Sequence, residues 1–289
     1  MKTILIQLDT DTHPSSFDRV VAVDAGVDEL FSYGGIGPDN VTGLVHGALF
    51  TRGPKDLKST AIFVGGSNVA AGEELFQKVQ DTYFGPVRVS VMMDSNGSNT
   101  TAAAAVLAAG KHADLANIEA LVLGGTGPVG HRAAQLLAAE GAKVRVGSRS
   151  AERAQTTCDA IAAVVPDAQL MAVATDTEAA TLAVADGVQV LIAAGAAGVK
   201  LLSAAARQSL TGLKVAIDLN AVPPEGLEGI GVMDKAGEQD GVVCYGAIGV
   251  GGTKMKIHKA ALQKLFESNE LVLDTAAIYE IGKTLVSTG

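Results

Sequence analysis

Residues 120–130 read Ala-Leu-Val-Leu-Gly-Gly-Thr-Gly-Pro-Val-Gly and join an apolar run to a glycine-rich loop. The apolar run has the length and composition of a buried strand, and residues 129–140 have the spacing of an amphipathic helix. Within the loop, Gly125, Gly127 and Gly130 follow the pattern G-x-G-x-x-G. A strand, a loop of this pattern and a helix are typical of the first unit of a doubly wound α/β domain.

This loop predicts a site for the pyrophosphate of a dinucleotide. Gly125 would supply the tight turn, Gly127 would let the backbone approach the phosphates, and Gly130 would let the helix pack closely on the strand. Pro128 suits the first helical turn, and the helix N-terminus would offer its N–H groups to the phosphates. The expected contacts are Gly125, Thr126, Gly127, Pro128, Val129 and Gly130. The alternative is a strand-to-helix turn that binds nothing.

The segment after the next predicted strand distinguishes NAD from NADP. An NAD-specific site would place an Asp or Glu about 20 residues beyond the glycine loop to bind the ribose hydroxyls, but this chain has Ser148, Arg149 and Ser150 there. The guanidinium of Arg149 can pair with a 2′-phosphate, assisted by the two serine hydroxyls. The predicted cofactor is therefore NADP, with NAD as the second choice. The alternative for Arg149 is a solvated side chain at a strand end.

Three other segments lie beyond the carboxyl ends of predicted strands, where ligands bind in open α/β sheets. Ala194 and Gly195 are expected beside the adenosine-side ribose or the nicotinamide. Asn220 follows the next strand, and Gly249 belongs to the glycine run 246–252, which is expected near the nicotinamide ring. The alternative for each segment is a tight turn.

The rest of the chain alternates β-rich runs with helical patterns, which predicts an α/β fold with parallel sheets. Predicted strands span residues 3–8, 60–64, 87–92, 120–123, 143–146, 170–174, 188–193, 214–219 and 242–245, and two final helices span 254–267 and 275–285. We predict two α/β domains: a Rossmann domain over residues 113–252, and a discontinuous substrate domain over residues 1–112 that is completed by helices in 253–289. The hinges are expected at 111–117 and in the glycine run 246–252.

Polar residues follow the three early strands, where the carboxyl ends of parallel strands share one edge. Carboxylates and Asn side chains accept hydrogen bonds, so this edge suits a group that offers several N–H donors, whereas an anionic substrate would have favoured Arg or Lys. The candidate substrate-binding residues are Asp9, Asp11, Asp94, Asn96, Asn99, Thr100 and Thr101. The alternative for any one of them is a helix cap or an Asx-turn.

Composition excludes several classes of protein. The net charge of −9 leaves no basic face for nucleic acid, and no apolar run reaches the roughly 18 residues of a membrane span. The first residues lack the pattern of a secretory signal, so we expect a cytoplasmic protein with no membrane partner. Cys158 and Cys244 lie far apart, the five histidines have no metal-ligand spacing, and most of the histidines are expected at the surface, so no metal is predicted.

Ordered motifs along the whole chain resemble the bacterial NAD(P)-dependent methylenetetrahydromethanopterin dehydrogenases, relatives of the methylenetetrahydrofolate dehydrogenases. The motifs that carry the likeness lie at 7–11, 37–41, 60–66, 94–104, 125–130, 254–258 and 264–268. The resemblance implies hydride transfer from the one-carbon bridge of a reduced pterin to NAD(P)+, which gives the methenyl form. It also implies homotrimers or homohexamers and a pterin in the interdomain cleft. Tetrahydromethanopterin and tetrahydrofolate share the reacting ring, so both stay open as substrates.

The resemblance further points to Lys256 as the catalytic lysine. Loss of hydride from a carbon between two nitrogens gives a stabilised amidinium, so no general base is required and positioning should dominate. A charged ammonium beside a developing cation is unfavourable. We therefore expect Lys256 to hydrogen-bond the pterin or its ring carbonyl. The 2-amino and N3 edge of the pterin is the kind of donor-rich group that the early strand ends would accept.

Two other functions are compatible with the same residues. One is an NADP-dependent dehydrogenase or reductase of another small polar substrate, such as a shikimate-type alcohol oxidation, which would need a Lys and Asp pair near the reacting carbon. The other is a non-catalytic NADPH-sensing protein, which needs only the dinucleotide loop and would turn over no pterin.

Overall fold

A computed structural model of the chain describes residues 1–287. The strands are β1 (Ile4–Asp9), β2 (Glu29–Tyr33), β3 (Thr60–Gly65), β4 (Ser90–Met93), β5 (Glu119–Leu123), β6 (Lys143–Ser148), β7 (Gln169–Ala174), β8 (Val190–Ala193), β9 (Val215–Asp218), β10 (Lys235–Gln239), β11 (Val242–Tyr245) and β12 (Val272–Leu273). The helices are α1 (Ser16–Asp24), α2 (Thr42–Phe50), α3 (Val69–Asp81), α4 (Ser98–Gly110), α5 (Pro128–Ala139), α6 (Ala151–Ala162), α7 (Glu178–Ala185), α8 (Ala204–Gln208), α9 (Ala247–Lys264) and α10 (Thr275–Ser287).

The chain divides into two compact units. The first unit comprises Met1–Thr100 and the segment from Met255 onward, and the second comprises Thr101–Lys254. Both borders fall inside helices, α4 and α9, whereas the sequence placed them in the segments that precede or follow helices. The assignment of substrate binding to one unit and dinucleotide binding to the other stays a prediction.

The first unit is built on a five-stranded sheet in the order β12-β4-β3-β1-β2. All of its pairings are parallel, and Asp9 at the end of β1 lies opposite Gly65 at the end of β3. Leu8, Ile62, Val64 and Leu75 are buried in its core. If the order is read from β2 and β12 is counted as the fifth strand, it is the order 2-1-3-4-5 of flavodoxin-like sheets. The ligand site of such sheets lies at the carboxyl ends of the first and third strands.

The second unit has a seven-stranded sheet in the order β10-β11-β9-β8-β5-β6-β7. Every pairing is parallel except that of β10 with β11. Without the edge strand β10, this is the 3-2-1-4-5-6 order of a Rossmann fold, and the strand order reverses between β5 and β8. The α/β class and the Rossmann sheet predicted from the sequence are therefore confirmed.

The glycine run 246–252 is largely helical, because α9 begins at Ala247 and not at Lys254 as the sequence predicted, while the hinge expected there stays a prediction. A Cβ at Gly246 would lie 2.1 Å from the backbone oxygen of Gly231, and one at Gly249 would lie 1.7 Å from that of Asp234. The start of α9 therefore packs directly on the 231–235 backbone. This packing outweighs the low helix propensity of glycine.

Side-chain caps start several helices. Ser15, Asn68, Ser150, Thr177 and Ser203 each accept a hydrogen bond from a backbone N–H of the first turn. Such caps satisfy donors that the helix itself leaves unpaired. Among the helices of residues 1–287, none combines the length and apolar composition needed to cross a bilayer.

Candidate functional site

The glycine loop after β5 is shaped by close backbone packing. Gly124, one residue before the motif, carries the positive φ of +68°, and a Cβ there would lie 2.7 Å from the backbone oxygen of Ala194. A Cβ at Gly125 would lie 2.7 Å from Val146 Cγ1, and one at Gly130 only 2.3 Å from the backbone oxygen of Gly124. Glycine at these positions lets α5 start directly on the end of the strand.

Gly127 differs from these glycines because the chain itself crowds it less. It is the N-cap residue of α5, and the nearest atom to a Cβ there would be the backbone oxygen of Gly124 at 3.2 Å. Pro128 occupies the first helical position, and within residues 1–287 no side chain caps this helix. The first N–H groups of a helix have no partner within the helix, so those at the start of α5 can bind an anion. This geometry fits the pyrophosphate of a dinucleotide.

The end of β6 presents one exposed cation. Ser148 is buried, and its Oγ accepts from the backbone N–H of Ser150 at 3.3 Å, while Arg149 is exposed. A hydroxyl that accepts a hydrogen bond still has its own proton to donate. Leu123 of β5 pairs with Gly147 of β6, so this segment lies beside the glycine loop. Its guanidinium and hydroxyl suit a phosphate oxygen.

The loops after β8 and β9 lie at the same edge of the sheet. Ala194 and Gly195 follow β8 and are half-buried against Gly124. Asn220 is buried, and its side chain bonds three groups of the chain: the N–H of Gly198 and of Val222, and the carbonyl of Pro224. The sequence placed these segments at the cofactor. The structure puts them at the predicted edge, with the Asn220 side chain engaged inside the loops.

Asp218 shapes the second of these loops, and sequence reasoning missed it. It ends β9 with a buried carboxylate that accepts from the N–H groups of Asn220 and Leu227 at 3.0 and 2.9 Å. Burial raises the pKa of the Asp218 carboxyl above its ordinary value, although these backbone hydrogen bonds lower it. The signal was the position of an acid at the end of a buried strand. Gly249, by contrast, lies within α9, where packing accounts for it.

In the first unit, the ends of β1 and β3 are linked by a carboxylate. The two carboxylate oxygens of Asp11 accept from the hydroxyl and backbone N–H of Ser67 at 2.9 and 3.0 Å. Asp9 is fully buried and accepts from the N–H groups of Asp11 and Ser15. Asp9 therefore stabilises the turn after β1. The half-buried Asp11 connects the segments that follow β1 and β3, where sheets of the flavodoxin-like strand order bind ligands.

The candidates after β4 form an internal junction. The Asp94 carboxylate, 1% exposed, accepts from the N–H groups of Asn99 and Thr100 and from the Thr100 hydroxyl at 2.6 Å. The Asn99 amide donates to the Met93 carbonyl and accepts from the Thr275 hydroxyl. These bonds are those of the helix-cap alternative raised from the sequence, because they secure the start of α4 to the end of β4.

Asn96 is the exposed polar group at this junction. Its φ of +54° lies in the left-handed region, which Asn tolerates better than other side chains. Its backbone N–H donates to the Gly66 carbonyl at 2.7 Å, which fixes the turn against the end of β3. Thr101 is half-buried in the first turn of α4. Asn96 and Asp11 therefore offer hydrogen-bonding groups at the surface of this edge.

Helix α9 buries a histidine that the sequence led us to expect at the surface. His258 is fully buried, its ring stacks on Phe63 with centroids 5.7 Å apart, and its Nδ1 lies 3.9 Å from Asp94 Oδ2. The helical stripe of Ile257, Ala261, Leu262 and Leu265 was the signal that places His258 inside. Lys254 is also buried, Lys256 is exposed, and Lys259 pairs with Asp24 at 2.8 Å.

Cysteines and histidines do not come together around a metal in the described part of the chain. Cys158 and Cys244 are both free and buried. Across residues 1–287, no group of three or more His, Cys, Asp or Glu side chains is arranged to hold a metal ion.

Solved structures resemble the whole chain in fold. Shikimate 5-dehydrogenase from Listeria monocytogenes superposes with a TM-score of 0.54 at 14% identity, covering 97% of this chain and 96% of that one. The 5-ketofructose reductase of Gluconobacter sp. strain CHM43 gives a TM-score of 0.50 at 13% identity, with 99% of both chains covered. At identities this low, the structural similarity shows a shared fold alone.

Sequence relatives are more specific. Residues 16–96 match the family model described as methylene-tetrahydromethanopterin dehydrogenase, N-terminal. Two proteins of Methylorubrum extorquens align over nearly their full length. The bifunctional protein MdtA is 45% identical, covering 98% of this chain and 99% of that protein. The NAD(P)-dependent methylenetetrahydromethanopterin dehydrogenase is 32% identical, with 97% of each covered. The chain belongs to the methylenetetrahydromethanopterin dehydrogenase family.

Proposed function

We propose that this protein is an enzyme that oxidises a methylene-tetrahydropterin to its methenyl form with a nicotinamide dinucleotide as hydride acceptor. The observation that carries the proposal is the alignment of a named NAD(P)-dependent methylenetetrahydromethanopterin dehydrogenase over 97% of the chain, which includes both sheet edges described above. The Rossmann strand order and the helix start of α5 support the dinucleotide half of the proposal.

In this reaction the protein has to orient the two reactants, and proton transfer is a minor requirement. A hydride leaves a carbon bonded to two nitrogens, whose lone pairs stabilise the resulting amidinium. The nicotinamide ring supplies the hydride acceptor. The chain must hold the donor carbon about 3 to 3.5 Å from that acceptor and exclude alternative poses. No described residue needs to act as a general base.

NADP is the proposed cofactor, with NAD as a weaker substrate. The residues proposed to hold the pyrophosphate are those of the glycine loop, from Gly125 to Gly130, with the N–H groups of α5 as donors. Arg149 and the Ser148 hydroxyl are proposed to bind the 2′-phosphate. The segments at Ala194, Asn220 and Gly249 are proposed to complete the cofactor site.

The pterin is proposed to bind at the carboxyl edge of the five-stranded sheet. Asp11 and Asn96 are available there for direct contact with its 2-amino and N3 edge, because both are accessible. Asp9, Asp94, Asn99 and Thr100 support this surface from inside, and Thr101 continues it on α4. Tetrahydromethanopterin is the proposed substrate, and tetrahydrofolate shares the ring that this edge would contact.

We also propose that the protein acts in the cytoplasm as a homotrimer or homohexamer. A surface cluster of aromatic rings supports association, because exposed apolar patches commonly mark interfaces. It consists of the exposed Phe50 and Phe84 and the half-buried His46, with centroids 5.5 to 5.6 Å apart. Light scattering during size-exclusion chromatography measures the molar mass, which distinguishes a trimer from a hexamer.

A steady-state assay tests the proposed function. Methylene-tetrahydromethanopterin and methylene-tetrahydrofolate are each offered with NADP+ and NAD+, and reduced nicotinamide is measured by its absorbance. We expect turnover of at least one methylene-pterin, with the higher kcat/KM for NADP+. Oxidation of a shikimate-like alcohol with no pterin turnover, or NADPH binding with no turnover at all, contradicts the proposal.

Lys256→Met is expected to lower kcat/KM for the methylene-pterin by about tenfold, because a hydrogen bond from a charged group to substrate is worth about 1.5–3 kcal/mol. Lys256 is exposed on α9. The matched control is Lys259→Met on the same helix, whose ammonium instead pairs with Asp24. Equal kinetics for the Lys256 variant and the control would exclude Lys256 from the substrate site.

A further inference from the structure

One buried carboxylate closes the loop after β9. Asp218 Oδ1 accepts from the N–H of Asn220 at 3.0 Å, and Oδ2 accepts from the N–H of Leu227 at 2.9 Å. A Cβ at Gly226 would lie 2.8 Å from Asp218 Oδ1, so the returning backbone lies directly on the carboxylate. Both ends of the loop 219–227 are therefore held by a side chain that is 1% exposed.

Asn220 connects this loop to the one after β8. Its Oδ1 accepts from the N–H of Val222 at 3.0 Å and of Gly198 at 3.4 Å, and its Nδ2 donates to the carbonyl of Pro224 at 2.9 Å. The backbone adds a second link, because the N–H of Leu201 donates to the Gly226 carbonyl at 2.8 Å. The segments 194–201 and 219–227 therefore form one connected body.

This body touches the glycine loop. The N–H of Ala194 donates to the Leu123 carbonyl at 2.9 Å, and the Ala194 backbone lies so close to Gly124 that no Cβ fits between them. In a Rossmann sheet, each half of the strand set binds one mononucleotide of the cofactor. The strands β5, β6 and β7 carry the adenosine half, so the loops after β8 and β9 belong to the nicotinamide half.

We infer that Asp218 and Asn220 are positioning residues that fix the loops receiving the nicotinamide half of the dinucleotide, and that Asn220 acts through these loops instead of by direct contact. Its side-chain donor and acceptor are already bonded within the chain, and the residue is only 8% exposed. A buried polar group is costly to leave unpaired, so these bonds persist when a cofactor binds. The inference rests on the proposed function only for the identity of the ligand.

Two probes separate the halves of the site. NADPH carries both nucleotides, whereas adenosine 2′,5′-bisphosphate carries only the adenosine half with its 2′-phosphate. Asn220→Leu, similar in size but without hydrogen bonds, is expected to raise the Kd for NADPH by about tenfold, equivalent to about 1.4 kcal/mol. The Kd for adenosine 2′,5′-bisphosphate should stay unchanged. Calorimetric titration of the full-length protein measures both.

Conservative variants of Asn220 and Asp218 test whether the hydrogen bonds of these side chains within the loops are responsible. Asn220→Asp keeps the oxygen that accepts from Gly198 and Val222 but loses the donation to the Pro224 carbonyl, so its Kd for NADPH should lie between the values of wild type and of Asn220→Leu. Asp218→Asn replaces one carboxylate oxygen that accepts from a backbone N–H, so it should raise the Kd for NADPH as Asn220→Leu does. Arg145→Ala is the control for general loss of stability in the same unit, because Arg145 bonds the carbonyls of Val184 and Asp186, which precede β8, whereas these loops follow β8 and β9. It should lower Tm without changing either Kd.

The outcomes are distinguishable. If wild-type protein binds neither probe, the proposed function fails and this inference with it. If wild-type protein binds both probes and Asn220→Leu binds NADPH as tightly, the inference alone is overturned. Equal weakening of both probes by Asn220→Leu also overturns it, since that pattern indicates a general structural effect. If Asp218→Asn does not fold, the comparison of Asn220→Leu with Asn220→Asp decides.

Discussion

Arg149→Ala is expected to raise the Kd for NADPH by about 50-fold and to leave the Kd for NADH unchanged. Arg149 is exposed directly after β6, whose end pairs with the end of β5 before the glycine loop, and its guanidinium can form charge-assisted bonds to a 2′-phosphate. Hydrogen bonds to charged groups contribute about 1.5–3 kcal/mol, which corresponds to roughly 10- to 150-fold in affinity. Fluorescence titration with the two reduced cofactors measures the difference.

The matched control for this variant lies at the other end of the same strand. Lys143→Ala removes one positive charge from an exposed position at the start of β6, so it changes the net charge equally. It should leave both dissociation constants within about twofold of wild type, since exposed charges at this distance are screened. A wild-type preference for NADH, or equal NADPH affinity in the Arg149 variant, refutes the NADP assignment.

Gly130→Ala is expected to lower the midpoint of thermal unfolding by about 6 °C. The new Cβ would meet the backbone oxygen of Gly124 at 2.3 Å, and backbone cannot rotate aside as a side chain can. Overpacking typically costs 1–3 kcal/mol, and each kcal/mol shifts Tm by about 2–4 °C in a domain of this size. Circular dichroism during heating measures the shift.

Two further glycines separate crowding from cofactor binding. Gly47 lies inside α2 with open space around it, so Gly47→Ala should keep or raise Tm, as helix propensity predicts. Gly127→Ala should lower Tm only slightly, because its nearest neighbour lies 3.2 Å away, yet it should weaken NADPH binding by placing a methyl group where the phosphates approach. A Gly130 variant as stable as wild type contradicts the packing described for α5.

The elements that the sequence predicted well are those with strong local signals. The glycine loop and the buried strands beside it were predicted from apolar runs and spacing, and they define the Rossmann sheet. Strands β2, β10 and β12 were missed. They are short or partly exposed and lie at sheet edges, so their residues carry no clear alternation. Their pairing depends on neighbours far away in the sequence.

The candidate site shows a different limit. The cluster of Asp94, Asn99 and Thr100 was predicted together, and its members do contact one another. Sequence alone does not separate a carboxylate that binds a ligand from one that caps a helix, because both follow a strand end and precede a helix. The difference lies in burial, which tertiary packing decides. His258 was missed for the same reason, although the apolar stripe of α9 contained the signal.

Isotope transfer tests the central claim most directly. Methylene-tetrahydromethanopterin with two deuterium atoms on its one-carbon bridge is oxidised by the protein with NADP+, and the products are examined by mass spectrometry and NMR. Direct hydride transfer predicts one deuterium at C4 of the reduced nicotinamide and one retained in the methenyl product. Reduced cofactor that carries only hydrogen from solvent, or no reduction of NADP+ or NAD+ by the methylene-pterin, would contradict the account.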